Sequence, residues 1–323
     1  MSQQRFEIAI GVDIAKLKFD AASLIADKYK HKTFDNNELG YEAFIAWLLS
    51  LCGDANHLIC MESTGAYSLP LADFLVAQGY AVSLVNPAKI HAFAKSELSR
   101  AKTDKADAKL IARYALIMQP ALWTPPPANI RELQALVRRV EHLLEMIRME
   151  RNRQETANPK VIDSINTVLA TLDDELEATR KAIRDHIDHH PDLKSRSDLL
   201  GTIPGIGEAS IAHLLIALSD HHGFTKAKQV VAFAGLAPAL RQSGQWSGNT
   251  HIAKNGDALL RKALYMPALC ALRFNPLIRV FCQRLKANGK NGKTIACAAM
   301  RKLIHMAFGV LKSGKPFDPN YAV

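Results

Sequence analysis

The first ninety residues switch hydrophobic period several times. Residues 6–13 (Phe-Glu-Ile-Ala-Ile-Gly-Val-Asp) alternate in the two-residue manner of a strand and close on an acid. Residues 18–25 and 29–34 are short, carry aromatic or β-branched side chains and are set apart by polar turns, so they predict two more strands. After Asn36 and Asn37 the period lengthens: Leu39, Phe44, Ile45, Leu48 and Leu49 mark a helix that stops at Gly53. Residues 57–61 predict a fourth strand, with Glu62 just past its apolar core. Residues 63–65 open a helix that ends near Gly79, and residues 81–85 predict a fifth strand. Three strands followed by alternating helix and strand describe a mixed α/β sheet covered by helices.

Downstream the pattern is helical. Trp123 and the prolines at 125–127 predict a stiff linker and a domain boundary. Ile130, Leu133, Val137, Val140, Leu144 and Ile147 then recur at steps of three and four, the seam of a coiled coil. Asn158-Pro159 interrupts it, and the seam resumes at Ile162, Ile165, Leu169, Leu172 and Leu176, with Ile183 and Ile187 beyond. A hairpin of two long helices and a single kinked helix both satisfy this pattern, within one chain or between subunits. Residues 256–311 read as three helices, and the chain from Ser313 as a loose tail.

Two turns between these helices carry candidate chemistry. Residues 202–212 hold Pro-Gly-Ile-Gly, the turn of helix-hairpin-helix modules, in which Gly205 and Gly207 would leave backbone N–H groups facing a phosphate. A glycine-rich turn without any ligand fits the same residues. Residues 241–250 are polar and glycine-rich and predict an exposed loop.

The carboxylates suggest a site. Residues 100–113 are helix-forming, and Asp104 and Asp107 lie three apart, on one face of a helix. Lysines 102, 105 and 109 offer neutralising charge, which would make this a solvated face; alternatively the pair binds a divalent cation such as Mg²⁺, which takes oxygen ligands. Asp13 and Glu62 close two strands, and if those strands are parallel neighbours both acids enter one crevice. Four carboxylates gathered there would need cations to stay ionised.

Charge and composition narrow the partners. The 323 residues carry a formal net charge of +10, yet residues 241–323 hold 14 Lys or Arg against two acids, net +12, and leave the rest at −2. Arg261, Lys262, Arg279, Arg301 and Lys302 lie among apolar residues in the final helices, an arrangement suited to nucleic-acid phosphates. The five cysteines (52, 60, 270, 282 and 297) have no CxxC spacing and read as reduced. No apolar run predicts a membrane span and no signal-peptide pattern opens the chain, so the expected compartment is the cytoplasm.

Val-Asp-Ile-Ala-Lys at 12–16, Met-Glu-Ser-Thr-Gly at 61–65, Val-Asn-Pro at 85–87 and Lys-Thr-Asp-Lys-Ala-Asp at 102–107 resemble the DEDD transposases of the IS110 insertion-sequence family. Gly-Leu-Ala-Pro at 235–238 continues the likeness. The resemblance implies an α/β plus all-α chain. A RuvC-type, RNase H-like catalytic domain would cover residues 1–122, a coiled-coil segment 128–192, and a basic helical transposase domain with helix-hairpin-helix 197–323. It implies that Asp13, Glu62, Asp104 and Asp107 hold Mg²⁺. It further implies that Ser243, with Ser247 as the competing position, is the nucleophile forming a phosphoserine link to DNA. The implied partners are donor and target DNA, a structured guide RNA and further copies of the chain, a dimer that becomes a tetramer on DNA. Two other functions fit the same residues: a metal-dependent junction nuclease in which Ser243 is only a loop residue, and a non-catalytic nucleic-acid scaffold.

Overall fold

A computed structural model describes residues 5–25, 28–53, 56–63, 65–97, 103–239, 242–243, 246–247 and 251–320. The chain divides into two compact units, Met1–Pro125 and Pro126–Val323.

The first unit is a five-stranded mixed sheet flanked by helices. Its strands are β1 (Ile8–Ile14), β2 (Lys18–Ile25), β3 (Lys28–Asp35), β4 (His57–Glu62) and β5 (Ala81–Val85), in the spatial order β3-β2-β1-β4-β5. Strands β1 to β3 are antiparallel neighbours, whereas β1, β4 and β5 run parallel. Helices α1 (Glu38–Cys52), α2 (Leu69–Ala77), α3 (Pro87–Ser96) and α4 (Asp104–Met118) complete the unit.

The two faces of the sheet are built from alternating residues. Ile10, Val12, Ile14, Ile59 and Met61 share one core with Phe44 and Leu48 of α1 and Leu71 and Leu75 of α2. Ala9, Leu58 and Cys60 face the other way and pack with Ile111, Tyr114 and Ala115 of α4. This two-residue period therefore puts Asp13 and Glu62 on the α4 side.

Small residues let α4 lie unusually close to the sheet. A Cβ on Gly11 would fall 2.1 Å from the Ala108 carbonyl oxygen and 2.2 Å from the Ala112 nitrogen, so only glycine fits there. Thr103 caps the helix by accepting from the Ala106 N–H at 3.2 Å. At the far end the Gln119 side chain accepts from the Phe6 N–H at 2.9 Å and donates to the Phe6 carbonyl at 3.1 Å, tying the helix to the chain ahead of β1.

The second unit is largely helical. Helices α5 (Ala128–Glu155) and α6 (Pro159–His189) form an antiparallel hairpin, with Gln154 donating to Asn166 at 2.6 Å near its tip and the Asn129 carbonyl 2.7 Å from His186 Nε2 at its base. The connection is short because Asn158 caps α6 and Pro159 begins it. Leu143, Ile147 and Leu176 fill the middle of the hairpin. Its base joins a larger core with α7 (Pro191–Gly201), α8 (Glu208–Ala217), α9 (Ala227–Phe233), α10 (Ala258–Phe274), α11 (Pro276–Ala287) and α12 (Gly292–Ser313).

Three sequence expectations change. The helix carrying the paired aspartates starts at Asp104, because Thr103 supplies a better cap than the preceding basic residues; residues 98–102, including Lys102, lie outside the described residues. Part of the expected loop at 241–250 is paired: β6 (Pro238–Ala239) bonds to β9 (His251–Ile252), and β7 (Gln242–Ser243) to β8 (Trp246–Ser247). Residues 240–241, 244–245 and 248–250 lie outside the described residues. Finally, α12 is long and apolar enough, by length and composition, to cross a membrane, although no span was expected; half of its most apolar stretch is buried, as in a core helix.

Candidate carboxylate centre and cationic helices

The approach of α4 at Gly11 fixes the register of the acids. Gly11 lies beneath Ala108, and Asp13 is two strand residues further on, about 6.6 Å along β1. Four helix residues back from Ala108, about 6 Å, bring the first turn of α4 level with it, and that turn carries Asp104 and Asp107. Glu62 ends β4, the parallel neighbour of β1.

The electrostatics reflect this arrangement. The Asp13 carboxyl is pushed up to about 6, first by burial and then by repulsion from Asp107, Asp104, Glu62 and Asp20. Glu62 is raised as well, by burial and then by Asp107, with His91 of α3 pulling the other way. The other three sequence-predicted acids therefore lie within electrostatic reach of Asp13. Among the described residues no three His, Cys, Asp or Glu side chains close into a ready metal cage, so the acids form an open cluster. As a donor set they offer only hard oxygen, the chemistry preferred by Mg²⁺ over softer metals.

The cation beside Asp104 is Lys18 of β2, at 3.5 Å. Both side chains are more than half exposed, so this pair contributes little and yields readily to a stronger cation. Of the helix's own lysines, Lys109 instead sits over the Tyr29 ring, 5.3 Å from its centre.

Sequence reasoning missed Asp20. It lies directly across from Asp13 in the β1–β2 register and is only 6% exposed. Its Oδ1 accepts from the Thr33 hydroxyl at 2.7 Å and from His31 Nε2 at 2.6 Å, both on β3. A carboxylate that buried needs such partners. The available signal was its place in β2, on the same strand face as Ala22 and Leu24.

The remaining predicted residues belong to the second unit. Ser243 lies in β7, paired in register with Trp246, and Ser247 lies in β8. Gly205 adopts φ +104°, and a Cβ there would meet Ala271 of α10 at 2.7 Å, so helix packing alone requires glycine. The Gly207 N–H donates to the Ser210 hydroxyl at 3.2 Å. Arg261 donates to the Ala234 carbonyl at 2.9 Å, and Lys262 is hydrogen-bonded to Glu141 of α5. Arg279 is exposed on α11. Arg301 and Lys302 lie on α12, with Lys302 Nζ 5.9 Å from the centre of the Phe281 ring.

Comparison with known proteins finds matches along most of the chain. Residues 10–157 match a DEDD-type IS110 transposase model, and residues 197–283 match the transposase IS116/IS110/IS902 family. The chain is 37% identical to the pilin gene-inverting protein of Moraxella bovis, over 96% of this chain and 97% of that one. It is 27% identical to the transposase for insertion sequence element IS1328 of Yersinia enterocolitica, over 81% and 85% of the respective chains. The mini-circle putative transposase for IS117 of Streptomyces coelicolor is also 27% identical, over 70% of this chain and 54% of that relative. The chain therefore belongs to the IS110/IS116/IS902 family of insertion-sequence transposases.

Proposed function

We propose that this protein is an Mg²⁺-dependent DNA transposase that cuts and rejoins donor and target DNA through a phosphoserine intermediate at Ser243. The observation that carries the reading is the gathering of Asp13, Glu62, Asp104 and Asp107 where α4 crosses the ends of β1 and β4. The sheet order, three antiparallel strands continued by two parallel ones, supports an RNase H-like, RuvC-type assignment for residues 1–122. Bound Mg²⁺ would supply Lewis-acid stabilisation of charge on the phosphate oxygens.

In this scheme Asp13, Glu62, Asp104 and Asp107 would hold the cation. The Ser243 hydroxyl loses its proton to a base and attacks phosphorus; a P–O bond forms to serine and the P–O bond to the deoxyribose breaks, freeing a DNA hydroxyl. The serine ester keeps the phosphodiester's bond energy, so a second DNA hydroxyl can displace serine and reseal the strand. Hydrolysis alone needs no such residue.

The α5–α6 hairpin is read as the coiled-coil segment 128–192 that pairs copies into a dimer and, on DNA, a tetramer. Residues 197–323 act as the basic transposase domain, with the turn at Gly205 and Gly207 and with Arg261, Lys262, Arg279, Arg301 and Lys302 on nucleic-acid phosphates. A structured guide RNA supplies sequence choice by base pairing, and the protein acts in the cytoplasm.

The test incubates protein, Mg²⁺, candidate RNA and labelled DNA, then looks for DNA attached to the peptide containing Ser243. The wild type is expected to give the adduct and Ser243→Ala to lose both adduct and strand transfer. Nicking that persists undiminished in Ser243→Ala, with no adduct in the wild type, would show a nuclease instead.

A further inference from the structure

Residues 258–317 contain no Asp or Glu, and this stretch folds into the packed helices α10, α11 and α12. Helix α9 also packs on α12. Arg301, Lys302 and His305 fall within about one turn of α12, and the four-residue step puts Arg301 and His305 on one face. Lys228 reaches the same place from α9: the His305 imidazole is held below its ordinary value by burial and then by Arg301, Lys302 and Lys228, with no carboxylate acting in the opposite sense.

From α11, Arg284 lies 5.7 Å from the centre of the Phe281 ring, which Lys302 also approaches. One aromatic side chain thus contacts two cations, from α11 and α12. Among the described residues, Lys228, Arg284, Arg301 and Lys302 form no ion pair. The Nε of Arg301 is shut off from solvent and has no hydrogen-bond partner among them. By contrast, Lys262 and Arg261 both have partners within the protein.

Like charges drawn from three helices without a counter-charge weaken the fold, and a buried N–H without an acceptor weakens it further. An anion bound beside these side chains relieves the repulsion. We propose that Lys228, Arg301, Lys302 and His305, flanked by Arg284, form a binding site for a backbone phosphate of nucleic acid. The inference rests on the reading of this protein as a nucleic-acid enzyme and gives that reading a specific anchoring site. Phosphate oxygens accept from guanidinium and ammonium donors whatever the base, so the site positions a strand without reading its sequence. Duplex DNA and folded RNA both carry this chemistry.

Full-length protein is titrated, in EDTA to keep cleavage out of the readout, against a labelled DNA duplex and separately a labelled RNA stem-loop, over a series of salt concentrations. The Lys228→Gln/Arg301→Gln double variant is expected to bind about 10- to 100-fold more weakly, with the slope of log affinity against log salt shallower by about 2. Arg301→Lys is expected to keep the wild-type slope. The double variant should melt at or above the wild-type temperature, because repulsion has been removed; a purely structural role would lower it. Loss on either nucleic acid supports the site and identifies the strand that occupies it. Unchanged affinity and slope on both, or a lowered melting temperature with binding intact, overturns it. Because Mg²⁺ is absent, the result is independent of the Ser243 adduct: the phosphate site survives if the adduct never forms, and the reverse also holds.

Discussion

At Asp13 the fold carries a cost. A carboxyl raised to about 6 in the folded chain, against about 3.9 in an unfolded one, holds its proton more tightly when folded. Its favourable contribution is therefore complete below about pH 4 and is lost as pH rises through about 6. Asp13→Asn removes the charge, and metal-free thermal or urea melts at pH 7 should show it more stable than wild type by about 1–2 kcal/mol, after allowance for partial exposure. The same variant should lose DNA cleavage. A metal-free variant less stable than the wild type at pH 7 would show that the acids do not repel one another as described. Asp20, across from it on β2, has its Oδ1 hydrogen-bonded to Thr33 and His31.

Among the elements, α4 decides whether the acids meet, and two residues decide where α4 lies. Gly11→Ala sets a methyl against the helix backbone, so urea unfolding should show a loss of about 1–3 kcal/mol. Removing the cap with Thr103→Ala should cost about 1 kcal/mol and loosen the turn that bears Asp104 and Asp107. Cleavage should fall more than stability does, since the whole helix needs little of that turn whereas the site needs it entirely. Equal proportional losses would assign Thr103 to folding alone.

Much at this scale was legible in the sequence. Alternation in residues 6–13 and 57–61 marked the strands that deliver Asp13 and Glu62, and Asn158-Pro159 marked the break between α5 and α6. Helix α3 went unplaced although Asn86-Pro87 is a cap followed by proline at the first turn. The closeness of α4 to β1 was not legible, because a glycine inside a strand does not say which helix will lie on it. Nor was the partnership of Asp20 with His31 and Thr33, which depends on the register between neighbouring strands.

Across the whole molecule, charge and chemistry are segregated. The carboxylates that repel one another lie in the first unit, whereas residues 241–323 hold the excess of positive charge. Nucleic-acid affinity should accordingly fall steeply with salt, and replacing acids of the cluster by amides should leave that slope nearly unchanged. A slope that changed strongly in Asp104→Asn would place the phosphates on the sheet unit instead.

The central claim is that acids from β1, β4 and α4 form one cation site. Calorimetric titration of the nucleic-acid-free protein with Mg²⁺ tests it most directly. The account predicts saturable binding in the wild type that is lost or weakened at least about tenfold by Asp13→Asn, by Glu62→Gln and by Asp107→Asn alike. Binding that withstands all three substitutions, or a wild type that takes up no Mg²⁺, would contradict it.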